Sequence, residues 1–229
     1  MKFFFATMPR SGSEFVIKLC RLLLEIDYSL ILSLTPGRIV NYKEGKSKIF
    51  QEKINEGKEV EYIKEKKYNY IKVESPSADI LCYDLSSSFP DSKWIVSFRS
   101  IDEIIISHYN LKSWGWPERK ILNAYICDLA FYEFLAKQGR MFFININKPG
   151  NFNLNRMVEF LGVSYVISEQ AKDFIQNWYV VNPLERQQKK AKEEVGLKEI
   201  PANLSSLRTR HPWLLEIEER YERLLMRCK

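Results

Sequence analysis

The chain has 229 residues, a hydrophobic fraction of 45% and a formal net charge of +6. This length suits one large α/β domain or two small ones, and the absence of a run of about eighteen apolar residues predicts no membrane span. The mild positive charge favours an anionic ligand, and no nucleic-acid partner is expected. Cys20, Cys82, Cys127 and Cys228 show neither metal spacing nor a paired framework, so we interpret them as reduced thiols of a cytoplasmic protein.

The first third of the chain predicts a strand, a helix and a polar segment. Residues Phe3–Met8 form a short aromatic run that predicts a buried strand, and the run stops at Pro9. From Ser13 the apolar residues fall at helical spacing. Residues 41–68 are rich in Lys and Glu, which indicates either a pair of solvated surface helices or a mobile flap over a site. We interpret the wider segment 30–68 as a flap or insertion within a single domain.

Strands alternate with helices in the rest of the chain. The predicted strands are Tyr68–Val73, Lys93–Phe98 and Arg140–Ile146, and the predicted helices are 101–111, 118–137 and 154–161, followed by a polar helical tail. This order predicts an α/β fold with a mostly parallel sheet covered by helices on both faces. Ligands of such sheets lie at the carboxyl ends of the strands. The segments Pro9–Gly12, Glu74–Ser75 and Arg99–Ser100 are therefore expected to converge on one edge.

The turn after the first strand, Pro9-Arg10-Ser11-Gly12-Ser13, is a candidate anion site. A helix start exposes unpaired N–H groups, small residues let the backbone approach an anion, and Arg10 adds a planar charged fork. The turn lacks the Gly-Lys-Ser/Thr ending of a Walker loop, and by itself it fits an ordinary helix cap equally well. Farther along, Arg99 follows a strand and Ser107 lies eight residues later, so both are able to contact one phosphate if the helix runs past it.

These two motifs together resemble those of the sulfotransferases that use 3′-phosphoadenosine 5′-phosphosulfate (PAPS). MPRSGSEF is similar to the family's 5′-phosphosulfate loop, and RSIDEIIIS matches the spacing of its 3′-phosphate motif. EFLGV and the terminal HPWLLEIEERYERLL resemble the family's Glu-Phe-Leu-Gly stretch and its C-terminal helix. The resemblance implies a P-loop-like sulfotransferase fold. It also implies an enzyme that moves a sulfuryl group from PAPS to a hydroxyl or amine and releases adenosine 3′,5′-bisphosphate (PAP).

The resemblance further implies a role for each matching residue. Arg10 corresponds to the basic residue that contacts the bridging oxygen of the leaving group, and Glu74 corresponds to the catalytic base. Phe15 matches the aromatic position near the adenine. The full set of implied cofactor-binding residues is Arg10, Ser11, Gly12, Ser13, Phe15, Arg99, Ser107, Arg208 and Arg210. Glu14 departs from the family's threonine, and it is compatible with a phosphate only if its carboxylate points away.

Several alternatives stay open at the level of sequence. Glu74 also fits a surface cap of the following turn, and Lys72, on the same side of the strand, either pairs with it or is exposed. His108 fits no family role and is interpreted as a surface or supporting residue. The alternative functions are a non-catalytic nucleotide- or anion-binding module and a P-loop-type phosphotransferase. No metal is expected, because no His, Cys and Asp cluster has metal spacing.

The acceptor is not identified by the sequence. A small molecule or a carbohydrate is expected, with selectivity set by segments such as 30–68 and 112–120. The chain is shorter than many members of the family. We therefore expect an acceptor pocket that is open or that a second subunit of a homo-oligomer completes.

Overall fold

The computed structural model describes residues 1–7, 12–27, 30–35, 38–41, 50–53, 58–74, 80–110, 115–146, 153–162, 169–180 and 200–227. These residues contain a seven-stranded sheet, with the order β4-β3-β2-β5-β1-β6-β7. The strands β2, β5, β1, β6 and β7 pair in parallel, whereas β3 and β4 extend the β2 edge with antiparallel pairing. The strands are β1 Phe3–Thr7, β2 Ile31–Thr35, β3 Arg38–Asn41, β4 Phe50–Lys53, β5 Tyr70–Glu74, β6 Lys93–Phe98 and β7 Met141–Asn145.

Helices cover both faces of this sheet. They are α1 Ser13–Leu24, α2 Glu59–Lys66, α3 Ile80–Ser88, α4 Ile101–Tyr109, α5 Glu118–Lys137, α6 Leu154–Leu161, α7 Glu169–Val180, α8 Leu207–Arg210 and α9 Leu214–Arg227. Successive side chains of a strand point to opposite faces. Phe3 and Phe5 therefore pack with α1, α6 and α7, whereas Phe4 and Ala6 pack with the other helical layer, which includes α4, α5 and α9. The predicted α/β fold with a mostly parallel sheet is thus confirmed.

Local signals in the sequence set the helix ends. Asn153 caps α6 by accepting a hydrogen bond from the Arg156 N–H at 3.1 Å, and Gly162 ends the helix with a left-handed backbone. Arg140 donates to the carbonyl oxygens of Ser86 and Phe89, at 3.1 and 2.8 Å, where α3 ends. It therefore satisfies carbonyl groups that have no partner within the helix. These contacts fix the amino edge of β6 and β7, opposite the edge where ligands bind in such sheets.

The described part of segment 30–68, which was predicted to be a flap or insertion, contains β2, β3, β4 and α2. Residues 31–35 form an interior strand of the sheet, β3 and β4 follow at its edge, and α2 packs into the core through Ile63. Strand β2 was not predicted, because a short run of Leu and Ile fits a helix as well as a strand. Helix α3 was also not predicted, whereas α7 lies within the predicted polar helical tail. The polar stretches 42–49 and 54–57 lie outside the described residues.

Two of the three cysteines in the described residues lie in the core. Cys20 and Cys82 are buried and Cys127 is exposed, and none of the three is in a disulfide. Burial raises the pKa of the Cys20 thiol well above its usual range. Cys228 lies outside the described residues. None of the helices in the described part of the chain is long and apolar enough to cross a membrane.

Candidate functional site

The carboxyl ends of β5, β1 and β6 lie side by side. Thr7 pairs in register with Glu74 on one side and with Ser97 on the other. Neighbouring strands are about 4.8 Å apart, so the backbone of Glu74 and the start of the turn into α4 flank the point where β1 leads into α1. The ends of these strands therefore share one edge, as expected for a parallel sheet.

Gly12 forms the start of α1 at this edge. Its φ is +98°, and a Cβ at this position would lie 2.2 Å from Cδ1 of Ile146, just after β7. Only glycine combines this backbone conformation with such close packing. The structure describes the backbone of Ser13 and Glu14 but not their side chains, and Arg10 and Ser11 lie outside the described residues. The positive end of the α1 dipole thus faces the shared edge.

Arg99 leaves the end of β6 and is held by the first turn of α4. Its side chain is 11% exposed, and its Nε donates a hydrogen bond of 2.7 Å to Oε2 of Glu103. Ser107 lies four residues after Glu103 and is buried. Residues four apart share one face of a helix. Arg99, Glu103 and Ser107 therefore follow one side of α4.

The two C-terminal arginines both bind carboxylates, but in different places. Arg208 binds Asp102 in the first turn of α4 and Glu218 in α9. Arg210 binds Glu118 at the start of α5 and the carbonyl oxygen of Asn203. Hydrogen bonding to Arg210 is the main cause of the lowered pKa of Glu118. Of the two arginines, Arg208 is the one in contact with α4, the helix that follows Arg99.

Two other predicted residues lie inside the protein. Phe15 is fully buried and stacks on Phe174 of α7, with ring centroids 5.5 Å apart. The structure therefore gives Phe15 a packing role instead of a position open to adenine. Lys72 is buried on the α1 side of the sheet, where it pairs across the strands with Phe5 and Ser33. Of the two alternatives for Lys72, exposure is therefore wrong.

His108 supports the segment that follows α4. It is buried, its Nδ1 accepts a hydrogen bond of 3.1 Å from the Trp116 N–H, and its ring stacks on the Trp116 indole at 5.4 Å. Gly115 passes so close that a Cβ there would lie 1.9 Å from the His108 carbonyl oxygen. These contacts make His108 an interior anchor of the chain and not a surface residue. Trp114 lies outside the described residues.

Sequence reasoning missed the carboxylates that orient the arginines. Neither Asp102 nor Glu103 was assigned to an arginine from the sequence, although Glu103 lies four residues after Arg99 and this spacing often forms an ion pair. The Asp102–Arg208 contact joins residues 106 positions apart, and no local pattern indicates it. Among the residues that the structure describes, no group of three or more His, Cys, Asp or Glu side chains has a geometry suited to a metal ion.

The carboxyl edge of β5, β1 and β6 therefore carries the start of α1, Arg99 after β6 and Glu74 at the end of β5. A helix start and an arginine both favour an anion with phosphate-like oxygens. No protein-family model matches the sequence, and no curated protein matches it either.

Proposed function

We propose that the protein is a sulfotransferase that moves a sulfuryl group from PAPS to a hydroxyl or amine of a small molecule or carbohydrate and releases PAP. The observation that supports this most is the register of three strands, which brings the start of α1, the end of β5 at Glu74 and the Arg99 turn to one edge. The same three segments carry the motifs that resemble the family. We assign the reaction to the cytoplasm.

The described residues fit PAPS in two respects. Gly12 lets the backbone pass where no side chain has room, and the first N–H groups of a helix, which have no partner within it, suit a 5′-phosphate. Arg99 and Ser107 follow the same side of α4, as expected for contacts to a 3′-phosphate. When bound, PAPS supplies the activated sulfuryl group. Arg10 and Ser11 complete the loop in this proposal.

The residues of the chain have separate tasks in the proposed reaction. Glu74 accepts the proton of the acceptor hydroxyl or amine as the general base. Arg10 and the backbone N–H groups at the start of α1 stabilise negative charge on the bridging oxygen as its bond to sulfur lengthens. Arg99 and Ser107 hold the 3′-phosphate and so fix the distance between the sulfur and Glu74.

Calorimetry with PAP tests the cofactor assignment. Binding at submillimolar PAP supports the proposal, and no binding in that range rejects it. A screen of acceptors with radiolabelled PAPS then tests catalysis. PAP binding without transfer to any acceptor would favour a non-catalytic module, and magnesium-dependent transfer from ATP would favour a phosphotransferase.

The variant Glu74→Gln tests the assignment of the base. It keeps the shape of the side chain, so PAP affinity should be unchanged, while turnover should fall by at least about a hundred-fold, the usual contribution of a general base. His108→Asn is the comparison, because asparagine retains a hydrogen-bond acceptor for the Trp116 N–H. Normal turnover in Glu74→Gln together with lost turnover in His108→Asn would show that the base is wrongly assigned.

A further inference from the structure

Arg208 is fixed between two helices by carboxylates. Its Nε donates to Oε2 of Glu218 at 3.0 Å, and its Nη1 donates to Oδ1 of Asp102 at 3.2 Å. Its Nη2 donates to Oδ2 of Asp102 at 2.9 Å and to Oε1 of Glu218 at 2.5 Å. All three guanidinium nitrogens are therefore engaged, and together they connect α9 to the first turn of α4.

The position of Asp102 gives this connection its significance. Asp102 lies three residues after Arg99, and Glu103, which binds Arg99, is the next residue. Carboxylates in a first turn stabilise the helix dipole but repel a phosphate that binds at the same helix start. Arg208 offsets the charge of Asp102, and its paired hydrogen bonds restrict how the turn can move.

We propose that Arg208 is a positioning residue for the 3′-phosphate site: it acts through Asp102 to fix the first turn of α4, and it does not contact the phosphate itself. This inference rests on the proposed function, and it assigns Arg208 a different role from the direct contact that the resemblance implies. Four of the five guanidinium N–H groups are held by two carboxylates, so a direct contact would have only the second Nη1–H to offer the phosphate.

A double-mutant cycle separates the two roles. PAP and adenosine 5′-phosphate are titrated into the wild type, Arg208→Gln, Asp102→Asn and the double variant by calorimetry. Adenosine 5′-phosphate lacks the 3′-phosphate, so the ratio of the two affinities reports on the 3′-phosphate site alone. A variant that merely loosens the fold would weaken the binding of both ligands equally and leave the ratio of the two affinities unchanged.

The expected result follows from action through Asp102. Arg208→Gln should weaken PAP binding by about three- to ten-fold, a range typical of coupled charged residues. Its affinity for adenosine 5′-phosphate should stay within about two-fold of that of the wild type. In the Asp102→Asn background, Arg208→Gln should change PAP affinity by less than about two-fold, because the residue through which it acts is gone.

Arg220→Gln is the matched control. Arg220 makes two hydrogen bonds to Glu133, at 2.9 and 2.6 Å, and thereby joins α9 to α5 without touching α4. Its loss should leave the affinity ratio unchanged. If Arg208→Gln is too unstable to titrate, Glu218→Gln replaces it in the cycle, because it loosens the same arginine from α9.

Two results would overturn the inference. A loss of PAP affinity that is equally large with and without Asp102 would show that Arg208 contacts the phosphate directly. An unchanged affinity ratio in Arg208→Gln would show that the network serves only the stability of the fold. Failure of the wild type to bind PAP would reject the proposed function itself, and with it the inference.

Discussion

Replacing Gly12 by alanine should disturb both the fold and the candidate loop. Gly12 has a φ of +98° at the start of α1. A Cβ at this position would lie 2.2 Å from Cδ1 of Ile146 and 3.0 and 3.2 Å from its Cγ2 and Cγ1. Ile146 therefore occupies the space that a side chain at residue 12 would need.

Two costs contribute to the expected loss of stability. A left-handed backbone costs a residue with a Cβ about 1–2 kcal/mol. Ile146 must also shift, and an off-rotamer side chain costs about 0.5–1.5 kcal/mol. The free energy of unfolding should thus fall by about 1.5–3.5 kcal/mol in Gly12→Ala. Gly139 provides a control, since its φ is +66° and nothing lies within 4 Å of its Cβ position, so Gly139→Ala should cost only about 1–2 kcal/mol.

Urea denaturation measures these differences, and calorimetry with PAP measures the effect on the site. Gly12→Ala should weaken PAP binding, whereas Gly139→Ala, between α5 and β7 at the opposite edge, should not. Ile146→Val removes Cδ1, so the double variant Gly12→Ala/Ile146→Val should be less destabilised than the sum of the two single variants. Equal destabilisation by Gly12→Ala and Gly139→Ala would refute the steric part of the reasoning.

Two further predictions concern charge. Arg99→Ala should weaken PAP binding by roughly 1.5–3 kcal/mol, the value of a charge-assisted hydrogen bond. Ser107→Ala should weaken PAP binding by only about 1 kcal/mol, because it removes a neutral hydrogen bond. Wild-type affinity for PAP in Arg99→Ala would mean that α4 does not line the site. Hydrogen bonding to Arg220 lowers the pKa of Glu133 from its usual value of 4.5. A carboxyl whose pKa is lowered by folding stabilises the protein above its unfolded pKa, and this contribution is lost as the pH falls through the folded value. The stability difference between the wild type and Glu133→Gln should therefore shrink below about pH 4.5 in urea denaturation, and a difference that stays constant on acidification would contradict the role of this pair.

The parts of the fold that were predicted well have strong signals at both ends. Strand β6 and helices α5 and α6 have the bounds expected from the sequence. Pro117 precedes α5, where a proline fits at the start of a helix but not inside it, and Gly139 and Gly162 follow α5 and α6 with the left-handed backbone that ends a helix. Strand β2 lacks a comparable signal, and it becomes a strand because the edge of β5 is available for pairing.

The candidate site was predictable in its backbone and less so in its side chains. The alternation of strands and helices along the sequence is enough to indicate that the segments after β1, β5 and β6 meet at one edge of the sheet. For Phe15, helical spacing and the family motif indicated different roles, and the structure follows the spacing, because a fully buried ring stabilises the core. Contacts such as Asp102–Arg208 depend on how α4 and α9 pack, and packing between distant segments leaves no periodic pattern in a sequence.

Glu103 poses the sharpest question about the site, because it orients Arg99 but also carries a negative charge beside a proposed phosphate. Glu103→Gln separates these effects: the amide oxygen is still able to accept the Arg99 Nε–H hydrogen bond, whereas the charge is lost. Since Glu103 is 36% exposed, solvent screens the repulsion, and removing it should tighten PAP binding by only about two- to five-fold. Glu103→Leu loses the hydrogen bond as well, so it should bind PAP more weakly than Glu103→Gln. If Glu103→Gln instead weakens PAP as much as Glu103→Leu does, the charge of Glu103 is itself required to hold Arg99, and orientation outweighs repulsion at this helix start.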